Sequence, residues 1–251
     1  MANLNFIVPN WPVPTNVRSL QTTRLDGVSS SPYESLNLAA HVKDDVNAVA
    51  TNRQLLRKYL PSEPVWLNQV HGIEVIDAEK STYLHNADAS YTKKDKVVCA
   101  IMTADCLPLL LCDKSGSEVA AVHAGWRGLC DGVIEAAVNK FSADKIDILA
   151  WLGPAIGPNA FEVGDDVLQQ FIERDRCAEQ AFTNYGDKWL CNIYLLAQQR
   201  LNSLGVTKIY GSGFNADFCT YSDKTRFFSF RRENITGRMA TMIWLDTSYD
   251  S

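Results

Sequence analysis

Three apolar runs lying close together, at 97–102, 107–112 and 118–123, set the strongest constraint on how this chain of 251 residues can fold. Each is too short for an ordinary helix, and nearly every position is apolar on both parities of a strand. Strands of that kind have to be covered on both faces. Further strand-like runs fall at 64–67, 73–77, 146–152, 206–210, 226–231 and 239–244, and helices are expected over 44–60, 129–141, 165–174 and 192–203. In the first of these helices Asp44 or Asp45 can cap, Val46, Val49, Leu56 and Leu60 fall near one face, and Pro61 ends it. Helices and strands mix without strict alternation, so the expected class is α+β with a layered mixed-sheet core. No repeat, low-complexity tract or linker divides the chain, which makes residues 1–251 one domain.

The chemistry-bearing residues sit at the ends of such runs. His71 closes Trp66-Leu67-Asn68-Gln69-Val70-His71-Gly72, Cys106 lies in Thr103-Ala104-Asp105-Cys106-Leu107-Pro108, and His123 in Ala121-Val122-His123-Ala124-Gly125-Trp126-Arg127-Gly128. Two imidazoles and a thiolate form a donor set that suits zinc or copper, and three protein ligands leave one coordination position for water or substrate. The intervening stretches of 34 and 16 residues fit no short zinc-finger signature. A buried core thiol beside two hydrogen-bonded histidines fits the same residues, so both readings stand at this point.

Composition narrows the function class. A net charge of −5 and a pI near 5.4 argue against nucleic-acid and acidic-membrane partners, which need a concentrated basic surface. There is no helix-length apolar run, and the opening residues carry no basic leader, so a soluble, cytoplasmic protein is expected. Seven cysteines without paired spacing make poor material for a disulfide framework. Cys99, Cys112, Cys130, Cys177, Cys191 and Cys219 are expected to be structural thiols. Neither a Gly-Lys-Ser/Thr phosphate loop nor a Gly-x-Gly-x-x-Gly fingerprint occurs, which leaves ATP-driven and nicotinamide chemistry without support.

Other clusters are open to two readings. The segments 22–29 and 35–42 are rich in hydroxyls and carry Arg24, Asn37 and His41, a set suited to phosphate or ribose and equally to a solvated loop with capped turns. Gly153-Pro154-Ala155-Ile156-Gly157-Pro158 reads as a rigid turn that either admits a ligand or merely reverses the chain. Glu162 is a possible acid or base, and Arg231, Arg232 and Glu233 either clamp an anion or pair with one another.

The three strings above and Leu152-Gly153-Pro154-Ala155-Ile156-Gly157-Pro158 resemble the YfiH family, also called the laccase-domain or polyphenol oxidoreductase family, whose members are described as purine nucleoside phosphorylases. The likeness runs from Trp11-Pro12 to Thr236-Gly237-Arg238-Met239-Ala240, essentially the whole chain. It implies a β-sandwich-like centre flanked by helices, with a zinc ion (copper in older descriptions) held by His71, Cys106 and His123. It further implies phosphorolysis of adenosine, inosine, guanosine and methylthioadenosine, together with adenosine deamination. By the same likeness Arg24, Asn37, His41 and Arg53 orient phosphate and sugar, with His41 the candidate for proton transfer. Asp105 and Arg127, adjacent to ligands, would fix the orientation of those ligands. The partners implied are a purine nucleoside and phosphate, bound by a monomer or homodimer. Asp26 and Lys43 depart from the family pattern, standing where glycine is more usual. Competing readings are a hydrolase with Cys106 as nucleophile and a histidine base, a laccase-like polyphenol oxidase, and a factor that edits peptidoglycan precursors.

Overall fold

The computed structural model describes residues 4–81, 84–212 and 218–249. In chain order the elements are β1 (Phe6–Ile7), β2 (Val17–Thr22), α1 (Val46–Arg57), β3 (Leu67–Asn68), β4 (Val75–Asp77), β5 (His85–Asn86), β6 (Ala89–Thr92), β7 (Cys99–Thr103), β8 (Leu107–Asp113) and β9 (Val119–Ala124). They continue with α2 (Trp126–Asp131), α3 (Val133–Val138), β10 (Ile148–Leu152), β11 (Glu162–Val163), α4 (Asp165–Arg174), β12 (Phe182–Tyr185), β13 (Lys188–Cys191), α5 (Ile193–Ser203), β14 (Lys208–Gly211), α6 (Phe230–Glu233) and β15 (Met239–Leu245).

Two sheets stack at the centre. One is mixed, in the order β14-β10-β8-β9-β6-β4, and the other is antiparallel, in the order β1-β2-β15-β7. Side-chain alternation explains the apolar composition of the central strands. In β8, Leu110 and Cys112 join Ile101, Cys99 and Ile243 of the antiparallel sheet between the layers, whereas Leu107, Leu109 and Leu111 turn to the cluster built with α2, α3, α4 and α5. The outer face of the antiparallel sheet carries Ala100, Met102, Ala240 and Met242, covered by Leu36, Leu38 and by Leu56 of α1. Each fully buried leucine contributes roughly 1.5–3 kcal/mol. A sandwich of sheets between helical layers is thus what the apolar runs demand.

Several elements differ from the sequence reading. Helix α1 begins after Asp45, whose carboxylate caps the amides of Asn47 and Ala48, and it buries Val49, Asn52 and Leu56, while Val46 faces solvent. The single helix expected over 129–141 is two short helices, broken where Gly132 takes φ 110°. The run at 64–67 supplies only an isolated bridge from Val65 to Cys99 and the two-residue β3. The strand expected at 226–231 is instead a turn leading into α6, because Ser229 caps that helix by accepting from the Arg232 amide. Asp26 and Lys43 both lie at positive φ, 68° and 69°, the conformation glycine adopts without strain. Asp26 is held there by accepting from the Asn5 amide and side chain.

Candidate metal centre

Each member of the His-Cys-His set is delivered by a different strand end. His123 lies near the end of β9, Cys106 immediately precedes β8, and His71 sits in the turn between β3 and β4. β8 and β9 are hydrogen-bonded neighbours in the mixed sheet, with Pro108 opposite His123, which puts Cys106 and His123 at the same sheet end. Gln69 brings in the third strand end: its amide group donates to the Met102 carbonyl and accepts from the Met102 amide, both at 2.7 Å. One donor atom from each of the three residues lies within 4.8 Å of the others. Cys106 Sγ is 3.8 Å from His71 Nε2, and the two imidazoles meet edge-on at 4.8 Å between centroids.

A buried carboxylate organises this convergence. Asp88, fully buried between β5 and β6, accepts from the amides of His71 (2.9 Å), Gly72 (2.7 Å) and Val70 (3.2 Å), and it lies 2.8 Å from His123 Nδ1. His71 takes φ 60°, a conformation costing about 1–3 kcal/mol in a non-glycine residue, and the three amide bonds to Asp88 hold it there. The contact at Nδ1 leaves His123 Nε2 as the donor toward Cys106 and His71, the arrangement typical of carboxylate-backed metal histidines. Gly125 completes the cradle from below: a Cβ there would lie 2.7 Å from His71 Cδ2, 3.2 Å from Cys106 Sγ and 3.4 Å from His123 Cε1.

The electrostatics favour a thiolate. Burial pushes the Cys106 thiol up, but the His123 and His71 imidazoles outweigh that and bring it down to about 6. Burial likewise lowers His123, yet the Cys106 thiolate and the Asp88 carboxylate raise it to about 9. A divalent cation would replace the proton shared by this pair, so a soft thiolate with two imidazoles fits zinc or copper.

Two cavities open from the triad, of about 330 Å³ and about 260 Å³, and both are lined by His71, Cys106, Arg127 and Phe230. The larger also takes in His41 and Arg238, and the smaller Trp126, Phe161 and Arg231. Arg127 stacks on Trp126 at 4.4 Å and touches both spaces. Arg53 lines neither cavity: its Nε donates to the Leu38 carbonyl, its guanidinium lies 4.3 Å above Trp66, and its charge acts on His41.

The other candidate residues are held in the surrounding structure. Arg24 donates to the Glu34 and Lys224 carbonyls and pairs with Glu233 at 3.0 Å. Asn37 is fully buried and spends its amide on Ala39, Asp44 and the Arg238 backbone. Asp105, at φ 88°, accepts from Thr220, Ser229 and the Arg231 amide, and its carbonyl accepts from Ile156. It therefore ties the Cys106 turn to the 153–158 segment, and that segment acts as a buttress. Glu162 pairs with Lys188 at 3.2 Å, and Arg232 is consumed by Glu233 and the Thr220, Tyr221 and Phe227 carbonyls. Of the six cysteines expected to be structural, Cys99, Cys112, Cys130 and Cys191 are buried, Cys219 is partly so, and Cys177 is exposed.

The profile of the multi-copper polyphenol oxidoreductase laccase family matches residues 18–246. The chain belongs to this family, the YfiH family. It is 52% identical over 243 residues to the purine nucleoside phosphorylase YfiH of Escherichia coli strain K12, covering 96% of this chain and 98% of that protein. A purine nucleoside phosphorylase of Haemophilus influenzae is 51% identical over 248 residues, covering 97% and 100%. Among solved structures, that of Neisseria meningitidis protein NMB0706 superposes with a TM-score of 0.92 at 44% identity, covering 96% of this chain and 99% of that one. YlmD of Geobacillus stearothermophilus gives 0.85 at 26% identity, covering 98% and 97%. The α+β sandwich expected from the family likeness is the fold found. Among the described residues no helix is long and apolar enough to cross a membrane.

Proposed function

We propose that this family member is a zinc-dependent purine nucleoside phosphorylase acting on adenosine, inosine, guanosine and methylthioadenosine, with adenosine deamination as a side reaction. The observation that carries this reading is the convergence of His71, Cys106 and His123 at the junction of two cavities, with Asp88 fixing both histidine segments. The names of the relatives supply the substrate class. A zinc ion held by these three residues, with copper the alternative, would act as a Lewis acid toward an oxygen of a bound substrate and would lower the pKa of water there.

The protein's own residues account for the rest of the chemistry. In phosphorolysis a phosphate oxygen bonds to the ribose anomeric carbon, the bond from that carbon to the purine nitrogen breaks, and the proton given up by phosphate ends on the purine. His41, on the wall of the larger cavity, is the candidate to carry that proton. Partial desolvation, then the positive charges of Arg238 and Arg53, hold its pKa below the usual imidazole range, so it is neutral near pH 7 and able to accept. Arg127 lines the space in which phosphate and sugar are oriented, Arg53 bears on it through its charge on His41, Asn37 holds the Arg238 backbone, and Arg24 pairs with Glu233.

A second reading has one specific observation in its favour. A thiol brought down to about 6 and lying 3.8 Å from an imidazole is also the start of a metal-free cysteine hydrolase. A laccase-like oxidase is less well served, because a multicopper cluster needs many imidazoles and the chain has four histidines in all. Chromatography of the products from each nucleoside, with and without phosphate and with and without chelator, separates the readings. Release of free base that requires both phosphate and metal is the expected outcome. Turnover that persists after metal removal would replace the proposal with the thiol mechanism.

A further inference from the structure

We infer that the two cavities divide the substrates, with Arg238 anchoring inorganic phosphate beside His41 in the larger one and the purine ring lying against Phe161 and Trp126 in the smaller. This assignment rests on the phosphorolysis reading above and adds to it a direction and a role for Arg238.

Charge decides which cavity takes the anion. The larger one is lined by His41, Arg127 and Arg238 and by no carboxylate. Arg238 has no ion-pair partner among the described residues; its Nη1 is spent on the Thr236 and Gly237 carbonyls of its own turn. Desolvation works against its charge, the Cys106 thiolate and the Asp105 carboxylate offset that only in part, and the charge in turn helps to push down the pKa of His41. Two guanidinium groups beside an imidazole, on a wall without a carboxylate, suit an oxyanion. Thr103, 1% exposed, is among the lining residues, and its buried hydroxyl has no hydrogen-bond partner. The backbone amide of Arg238 donates to buried Asn37 Oδ1 at 3.0 Å, which fixes the base of the arginine.

The smaller cavity is unsuited to phosphate and suited to a flat ring. Asp105 is among its lining residues with Arg127 and Arg231, so the wall carries a negative charge that the larger cavity lacks. Phe161, Ile156, Ile193 and Trp126 supply apolar and aromatic surface. Arg231 sits 5.4 Å from the Phe161 ring with Nη1 already donated to the Glu162 carbonyl, so it extends the stacking surface. Cys106 and His71 line both spaces, so the bond to be broken would lie over the triad.

The test combines calorimetric titration with inorganic phosphate and steady-state phosphorolysis, on wild type, Arg238→Gln, Arg238→Lys, Phe161→Leu and the remote control Arg174→Gln. Thermal midpoints establish that each variant is folded. Losing a charge-assisted anchor should raise the phosphate Kd and the phosphate KM by roughly 10- to 100-fold in Arg238→Gln. Arg238→Lys, which keeps the charge without the fork, should fall between that variant and wild type. Phe161→Leu should raise the nucleoside KM several-fold and leave the phosphate KM alone, and Arg174→Gln should change neither. If wild type releases base with phosphate but Arg238→Gln keeps its phosphate KM, or the two effects exchange places, the assignment is overturned while the phosphorolysis reading stands. If phosphate binds through Arg238 yet no base is released, the phosphorolysis reading fails and the anion site survives. If wild type neither binds phosphate nor releases base, both fall.

Discussion

Replacing Asp88 with asparagine removes one charge from the centre of the site and little volume, so its effect can be worked bond by bond. One carboxylate oxygen accepts from the His71 amide at 2.9 Å and contacts His123 Nδ1 at 2.8 Å, and the other accepts from Gly72 at 2.7 Å and Val70 at 3.2 Å. Whichever way the asparagine amide is turned, one pair of donors then faces an NH₂ group. Two hydrogen bonds to a charged acceptor are worth about 3–6 kcal/mol. Val70 is 53% exposed, so the turn can relax toward water, and a net loss of about 2–4 kcal/mol is expected, a large share of a domain's total stability. His71 would no longer be held at its left-handed φ, and metal affinity should fall by about 10- to 100-fold. Burial raises the Asp88 pKa, but the bond to His123 and the backbone amides outweigh it and hold it below the usual carboxylate range. A lowered folded-state pKa means that the stabilisation is fully present above the unfolded value near 3.8 and fades as pH falls through the folded one. The difference between wild type and Asp88→Asn should therefore be greatest between about pH 5 and 6, shrink as pH falls below about 4, and shrink again as pH rises from about 6.5 through about 9, where His123 loses the proton that Asp88 helps it hold. Urea unfolding across pH and chelator competition measure both quantities. A variant within about 0.5 kcal/mol of wild type and with unchanged metal affinity would refute the reasoning.

Three further outcomes follow from the same geometry. Gly125→Ala, whose Cβ would press on His71 Cδ2 at 2.7 Å, should lower metal affinity by at least about tenfold while leaving the protein folded, as read by chelator competition and circular dichroism. In metal-free protein, alkylation of Cys106 by iodoacetamide should rise with pH and level off above about 6, and added zinc should suppress it; peptide mass spectrometry follows the site. Asn52, fully buried, donates to Ser29, Ser35 and Asn37 and accepts from the Val28 amide, so Asn52→Ala should cost about 2–4 kcal/mol and raise hydrogen exchange across 27–37.

The strands at 97–102, 107–112, 118–123 and 239–244 were legible because burial on both faces leaves a continuous apolar run, α4 because Val167, Leu168 and Phe171 fall on one face, and α5 because Asn192 caps it by accepting from the Leu195 amide. The stretch at 226–231 misleads because Phe227, Phe228 and Phe230 carry strand propensity, while the local Ser229 cap decides for a helical turn. His71, Cys106 and His123 are visible as reactive residues at strand ends. Asp88 is a single acidic residue between two alanines with no periodic partner, and its only signal is a charge inside a buried stretch, Ala87-Asp88-Ala89. Arg24 and Asn37 stand out in the sequence, yet their hydrogen bonds run inward, and it is the distant Arg238, its backbone amide held by Asn37, that reaches the cavity with Arg127. Such roles depend on which way a side chain points in a loop, and loop direction leaves no period in the sequence.

The most direct test of the metal centre is elemental analysis of purified wild-type protein beside Cys106→Ala and Cys130→Ala. Cys106 offers its thiolate to the triad, whereas Cys130 lies in the helical core with its thiol on the Gln170 carbonyl. About one zinc, or copper, per chain is expected in wild type and in Cys130→Ala, and almost none in Cys106→Ala. Full metal retention in Cys106→Ala, or a metal-free wild type that releases purine base at an undiminished rate, would contradict it.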